Sequence, residues 1–254
     1  MNSYIAFTKK ELLENFRTFR ILILVSVFFL FGMLSPLTAK LMPEIFKSLA
    51  LDGIVITIPD PTALDAYSQL FKNLTQMGIL VLLLVFSGML STEITKGTLI
   101  NMLTKGLSRS AVILAKFTVA GVIWSLSLLL AFITTFGYTA YLFGNANLPN
   151  LIFSIFCLWV YGLFLLSLIL LASSFTSGNF GGLTLTAVLI VIMMIVDVFP
   201  KIHQFNPIAL ASQNVSLLIE KVNVSAMIPI VIITVLLTLA SLVGSVLIFN
   251  KRKL

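Results

Sequence analysis

Long apolar runs separated by short polar segments set the pattern of this chain. They fall near Ile21–Leu37, Met77–Leu90, Ala111–Phe143, Leu151–Ser173, Phe180–Phe199 and Met227–Phe249. A helix of about 20 apolar residues crosses a bilayer core, so these runs predict six transmembrane helices. The second run is short, but it extends back through Phe71 and Leu74, which share helical spacing with Leu64 and Tyr67. A membrane barrel is disfavoured, because its strands alternate apolar and polar positions over about 10 residues and these runs do not. The expected fold is therefore an all-α polytopic membrane protein, one membrane domain over residues 1–254. An N-terminal amphipathic helix and short re-entrant helices on the outer side complete it.

The polar segments carry their own signals. Residues 1–20 precede any span, and Thr8 and Glu11 fit a capping box. Beyond it Leu12, Leu13, Phe16 and Phe19 share one face, and Lys10, Glu14 and Arg17 another. Such a helix is expected in the headgroup layer, with its basic face toward anionic lipid. Pro36 is expected to end or kink the first span. In the outer segment 38–72, residues 54–58 are β-prone, and Asp60 with Pro61 is expected to start a helix. Segments 142–150 and 173–179 read as turns, and Gly178, Gly181 and Gly182 as points of close helix approach. In the second outer segment, 200–226, Asn206 and Pro207 are expected to cap a short apolar stretch from Ile208 to Ile219, too short to cross.

Between the second and third spans, residues 91–110 interrupt the apolar pattern. Glu93 closes one span, Gly97 and Thr98 follow, and Leu99, Met102, Leu103 and Gly106 recur at one helix face. Ser108, Arg109 and Lys116 lead into the next span. Taken alone, Glu93 and Arg109 fit ordinary interfacial charges, and Gly97 an ordinary helix breaker. The spacing Glu93-x-x-x-Gly97-Thr98 followed by Ser108-Arg109 and Lys116 nevertheless resembles the first inner loop of permease subunits of type-2 ABC exporters. That resemblance implies a coupling loop that docks on a separate ATPase subunit, with Glu93, Lys96, Gly97, Thr98, Leu99, Met102, Leu103 and Arg109 as its residues. It also implies that Leu12, Phe16 and Arg17 belong to an elbow helix bordering that ATPase, a role compatible with a plain interfacial anchor. ATP and Mg would be bound by the partner, and no cofactor by this chain. A second permease, alike or different, is a further expected partner.

Composition agrees with a membrane protein: 59% of residues are hydrophobic and 10% charged, against about 25% charged in soluble domains. The formal charge of +7 sorts by loop and does not call for nucleic acid. With residue 1 inside, Lys9, Lys10, Arg17, Arg20, Lys96, Lys105, Arg109, Lys116, Lys251, Arg252 and Lys253 all lie inside. Lys40, Lys47, Lys72, Lys201 and Lys221 lie outside, so positive residues place both termini in the cytosol of a cell membrane. Pro36 to Lys40 offers no signal-peptidase pattern, so the first run is expected to be retained.

Catalytic chemistry is missing. Cys157 is the one cysteine and His203 the one histidine, which leaves no zinc site and no base for a serine nucleophile. The phosphate-binding Gly-x-x-x-x-Gly-Lys-[Ser/Thr] loop is absent. Asp197 lies near a span end, and no other carboxylate sits deep enough for an ion relay. The expected function is a permease subunit of an ATP-driven exporter, not an enzyme, moving amphipathic, lipid-like or peptide cargo along an unassigned path. The alternatives are an ion-gradient carrier and a non-transporting membrane scaffold.

Overall fold

In the computed structural model, residues 3–49, 59–104, 106–144, 147–176, 178 and 180–252 are described. Among them there is helix and no strand. Helix α1 covers Ser3–Arg17 and α2 Arg20–Leu49. Helix α3 (Ala63–Asn73) runs through a π turn at Leu74–Gly78 into α4 (Ile79–Phe86). Two short helices, α5 (Ser91–Thr95) and α6 (Thr98–Leu103), form the loop before α7 (Arg109–Phe143). Helix α8 (Leu151–Phe175) is followed by α9 (Gly181–Asp197). Then come α10 (Pro200–His203), α11 (Ala209–Ser212), α12 (Asn214–Leu218) and α13 (Val224–Lys251).

Among the described residues, five helical segments are long and apolar enough to cross a membrane: Arg20–Ile45, Ala63–Thr95, Arg109–Phe143, Leu151–Phe175 and Val224–Lys251. The expected fifth run is α9, whose 17 residues span about 26 Å, just short of a ~30 Å core. It starts beside the last turn of α8, where a Cβ on Gly182 would lie 2.4 Å from Ser173 Oγ. After α9 the chain returns to the first turn of α8, where Asn150 Nδ2 donates to Leu217 O at 3.3 Å and Ser154 Oγ to Asn214 O at 3.4 Å.

Helix α8 is the centre of the bundle, buried around most of its circumference. Its sequence is apolar on every side, as a helix surrounded by other helices requires. Helix α2 packs along α7, and α13 along α8. The α7–α8 contact is tight because Gly162 presents no side chain: a Cβ there would meet the Trp124 ring at 2.2 Å. Trp124 Nε1 donates to Trp159 O at 3.1 Å, and Trp159 Nε1 to Ser125 Oγ at 2.7 Å, so each indole satisfies its polar edge on the neighbouring helix.

Several local expectations are corrected. Thr8 and Glu11 do not form a capping box: α1 already runs from Ser3, and Thr8 Oγ1 donates back to Tyr4 O at 2.9 Å. Pro36 does not end the first span, since α2 continues through Pro36 and Pro43. A proline at 36 deprives Gly32 O of its helical partner, and the buried Thr135 hydroxyl of α7 donates to that oxygen at 3.1 Å instead. The cap of α3 is not Asp60. It is Thr62, whose N–H bonds the Asp65 carboxylate at 2.8 Å, so acid and cap are both shifted inward. Residues 54–58 lie outside the described residues.

Asn206 closes a turn through the Ile208 N–H at 3.2 Å and ties Met193 O at 2.8 Å, while the helix itself begins at Ala209. The stretch Ile208–Ile219 breaks at Gln213 into two short helices whose Leu210, Leu217 and Leu218 are buried. Asp197 has a partner: Gln213 donates to His203 Nε2, leaving His203 Nδ1–H to donate to Asp197 at 3.0 Å.

Candidate functional site

The loop of residues 91–110 folds back on the bundle. Gly97 holds φ +69°, a left-handed value that favours glycine, and so turns the chain between α5 and α6. Thr98 Oγ1 donates to Glu93 O across this corner at 3.3 Å. The apolar stripe is turned inward: Leu99 is 1% exposed, and Met102 and Leu103 pack against the core. Gly106 leaves the expected face, because it lies beyond α6 at φ +91°. Ile100, Asn101 and Thr104 are exposed on the opposite side, while Lys96 and Thr98, also exposed, lie at the corner itself. Lys105 lies outside the described residues.

Glu93 is the loop's anchor. It is buried, and Lys116 Nζ of α7 lies 2.8 Å from its Oε2, while Lys10 of α1 bonds its Oε1. Lys116, 2% exposed, also donates to both oxygens of Glu11 at 2.9 Å. Lys10 reaches Glu11 at 3.0 Å and Glu14 at 2.5 Å. Two ammonium groups thus sit among three carboxylates, the five groups drawn from α1, α5 and α7. Phe7, buried beside them, offers its ring to Lys10 at 5.1 Å and Lys116 at 5.7 Å.

A buried charge is tolerated when it is paired, and here each ammonium meets at least two carboxylates. Burial alone would pull the Lys10 ammonium toward its neutral form. Hydrogen bonds and proximity to Glu14 and Glu93 outweigh that and raise its pKa. Single oxygens of Glu11, Glu14 and Glu93 lie within 4.8 Å of one another, a spacing that would suit a cation. The two lysines fill that role.

Helix α1 is amphipathic in the opposite sense from a surface helix of a soluble protein. Phe7, Glu11 and Asn15 face the bundle. Leu12, Leu13, Phe16 and Phe19 are exposed, as is Arg17 at the helix end. Tyr4 and Thr118 hydroxyls, 2.8 Å apart, add a second tie to α7.

Arg109 does not join the junction. Its Nη1 donates to Asn250 O at 3.1 Å, to Arg252 O at 2.8 Å and to Phe249 O, and its guanidinium lies 5.4 Å from the Phe249 ring. Arg252 in turn donates to Ser174 O at 3.0 Å and Ser173 O at 3.3 Å. Cations on carbonyls at helix C-termini satisfy orphan acceptors and oppose the macrodipole, so α7, α13 and α8 are clamped at one level.

From spacing alone Glu11 read as a cap, and Lys10 and Glu14 as part of a face toward anionic lipid. The signal that could have found the junction is Lys116, a lysine one turn inside an apolar run, which needs a buried counter-ion. No curated protein gives a match to this chain. A family model does, over residues 5–254, and its description is ABC-2 family transporter protein; a bundle of membrane-crossing helices matched over nearly its whole length places this chain in the ABC-2 transporter family.

Proposed function

We propose that this chain is the permease subunit of an ATP-driven exporter, with both ends in the cytosol and α9 as a sixth crossing. A separate ATPase subunit binds the loop of residues 91–110, and a second permease completes the complex. The family supplies the membrane-subunit role. The observation that carries the coupling role is the ionic junction of Glu93, Lys116, Lys10 and Glu11. A loop transmits a push only if its base is stiff, and this base is tied by charge to α1 and α7 together. The inward turn of Leu99, Met102 and Leu103 supports a partner surface made by the opposite face, with Ile100, Asn101 and Thr104.

The apolar groove between α7 and α8, lined by Phe132, Phe136, Ile152 and Phe156, suits amphipathic or lipid-like cargo better than ions or sugars. Tagged chain purified from its native membranes in mild detergent tests the reading. Co-purification of a subunit with Walker motifs, with cargo-stimulated ATP hydrolysis, is expected from wild type. An Ile100→Glu/Thr104→Glu variant, altered on the outward face alone, is expected to lose both and keep its melting temperature. Unchanged capture by that variant would remove the loop's assignment. Transport that collapses with the ion gradient and ignores ATP would replace the exporter with a carrier.

A further inference from the structure

Beside the ionic junction is a cavity of about 260 Å³ between α1, the first residue of α2 and the loop. Its charged lining is Lys10 and Glu14 from α1, Arg20, Lys96, and Glu93, with the Thr98 hydroxyl among them. The two carboxylates are already engaged by Lys10. Arg20 and Lys96 enter no ion pair among the described residues. Counted with the adjoining junction, Lys10, Lys116, Arg20 and Lys96 face Glu11, Glu14 and Glu93, which leaves one positive charge that the protein does not neutralise, and Arg20 and Lys96 are the cations free to meet a singly charged anion with several acceptor oxygens.

Its depth narrows the choice of anion. Arg20 opens the first membrane-crossing helix, and Lys96 directly follows the last residue of the second. The cavity stands at the level where hydrocarbon gives way to headgroups. On α1, which contributes Lys10 and Glu14 to the cavity, the exposed Leu12, Leu13 and Phe16 offer an apolar side, the surface that acyl chains would cover. We infer that this cavity seats the phosphate of an anionic phospholipid from the leaflet on the α1 side. Bound there, the phosphate bridges the start of α2 to the loop next to Glu93, so membrane charge stiffens the base of the loop. The inference rests on the reading of α2 and of residues 63–95 as crossing helices, and on nothing about an ATPase.

Native mass spectrometry of the purified full chain tests it without any partner, so its failure is separable from failure of the exporter reading. The protein is offered equal amounts of phosphatidylglycerol and phosphatidylcholine with the same acyl chains. Wild type is expected to retain phosphatidylglycerol preferentially. Arg20→Gln/Lys96→Gln is expected to lower that preference about 30-fold, the worth of two basic residues near an anionic surface. Lys9→Gln/Lys251→Gln, removing two exposed basic residues outside the cavity, is expected to change it little. The charge-preserving Arg20→Lys/Lys96→Arg is expected to keep the preference and guards against misfolding. Equal retention of both lipids by wild type, or the same loss in the Lys9/Lys251 variant, would overturn the site. Displacement by millimolar inorganic phosphate would overturn the lipid and leave a free anion in its place.

Discussion

Lys116 Nζ lies 2.8 Å from Glu93 Oε2, joining the end of one membrane-crossing helix to the second turn of the next. The same ammonium holds Glu11 at 2.9 Å, so a single lysine fixes the loop and α1 at once. Removing one partner from a buried ion pair costs about 3–5 kcal/mol, because the remaining charge stays buried. Lys116→Met is expected to destabilise the protein by that order and to loosen both α1 and α5. Lys116→Met combined with Glu93→Gln and Glu11→Gln is expected to recover part of the loss, since no unpaired charge then remains. Melting temperatures in one detergent, compared as a mutant cycle, check this; additive losses would show that the groups are not coupled.

Arg109 clamps three carbonyls at the end of α13. Hydrogen bonds to a charged group contribute about 1.5–3 kcal/mol each at most, and a lysine lacks the planar guanidinium that lies 5.4 Å from the Phe249 ring. Arg109→Lys is therefore expected to recover less than half of what Arg109→Ala loses. Faster amide exchange confined to residues 247–252 is the readout, with exchange in α1 unchanged.

The long elements were legible because crossing a bilayer demands about 20 apolar residues and little else in the sequence competes with that demand. Of the two outcomes expected at Pro36, an end or a kink, the end does not occur: α2 continues, and Thr135, far along the chain, takes over Gly32 O. The loop was found by its glycine and charges, but not its orientation: Leu99 and Met102 share a face in any helix, and periodicity does not say whether that face meets the bundle or a partner. Lys10 and Glu14 read as part of a face toward anionic lipid for the same reason, since Glu93, which Lys10 holds, comes from another part of the chain.

The α7–α8 contact depends on Gly162 much more than on Gly137. A Cβ at 162 would lie 2.2 Å from the Trp124 ring, which is itself held by Trp159 O and packed edge-on against Phe28 at 5.5 Å. Gly162→Ala is expected to cost about 1–3 kcal/mol through overpacking. Gly137 meets nothing within 4 Å, so Gly137→Ala is expected to be neutral or to stabilise by up to ~1 kcal/mol through helix propensity. Thermal unfolding of the two variants side by side checks the contrast, and equal effects would remove the packing explanation.

Lys10 gives the junction a defined response to alkali. Its pKa is raised above the ordinary 10.5 by Glu14 and Glu93 despite the opposing effect of burial. A group whose pKa is higher in the folded state contributes fully while pH stays below the unfolded value, and its contribution falls as pH climbs through the folded one. The seating of α1 is therefore expected to owe no change to Lys10 between pH 7 and about 10, and to weaken only in stronger alkali. Lys10→Gln should remove that alkaline step and make α1 more mobile at every pH below it, because Glu14 and part of Glu93 lose their cation. Amide exchange over residues 3–17, corrected for its intrinsic pH dependence, measures both effects. A loosening of α1 between pH 7 and 9 that Lys10→Gln abolishes would mean that the lysine is not held charged by these carboxylates.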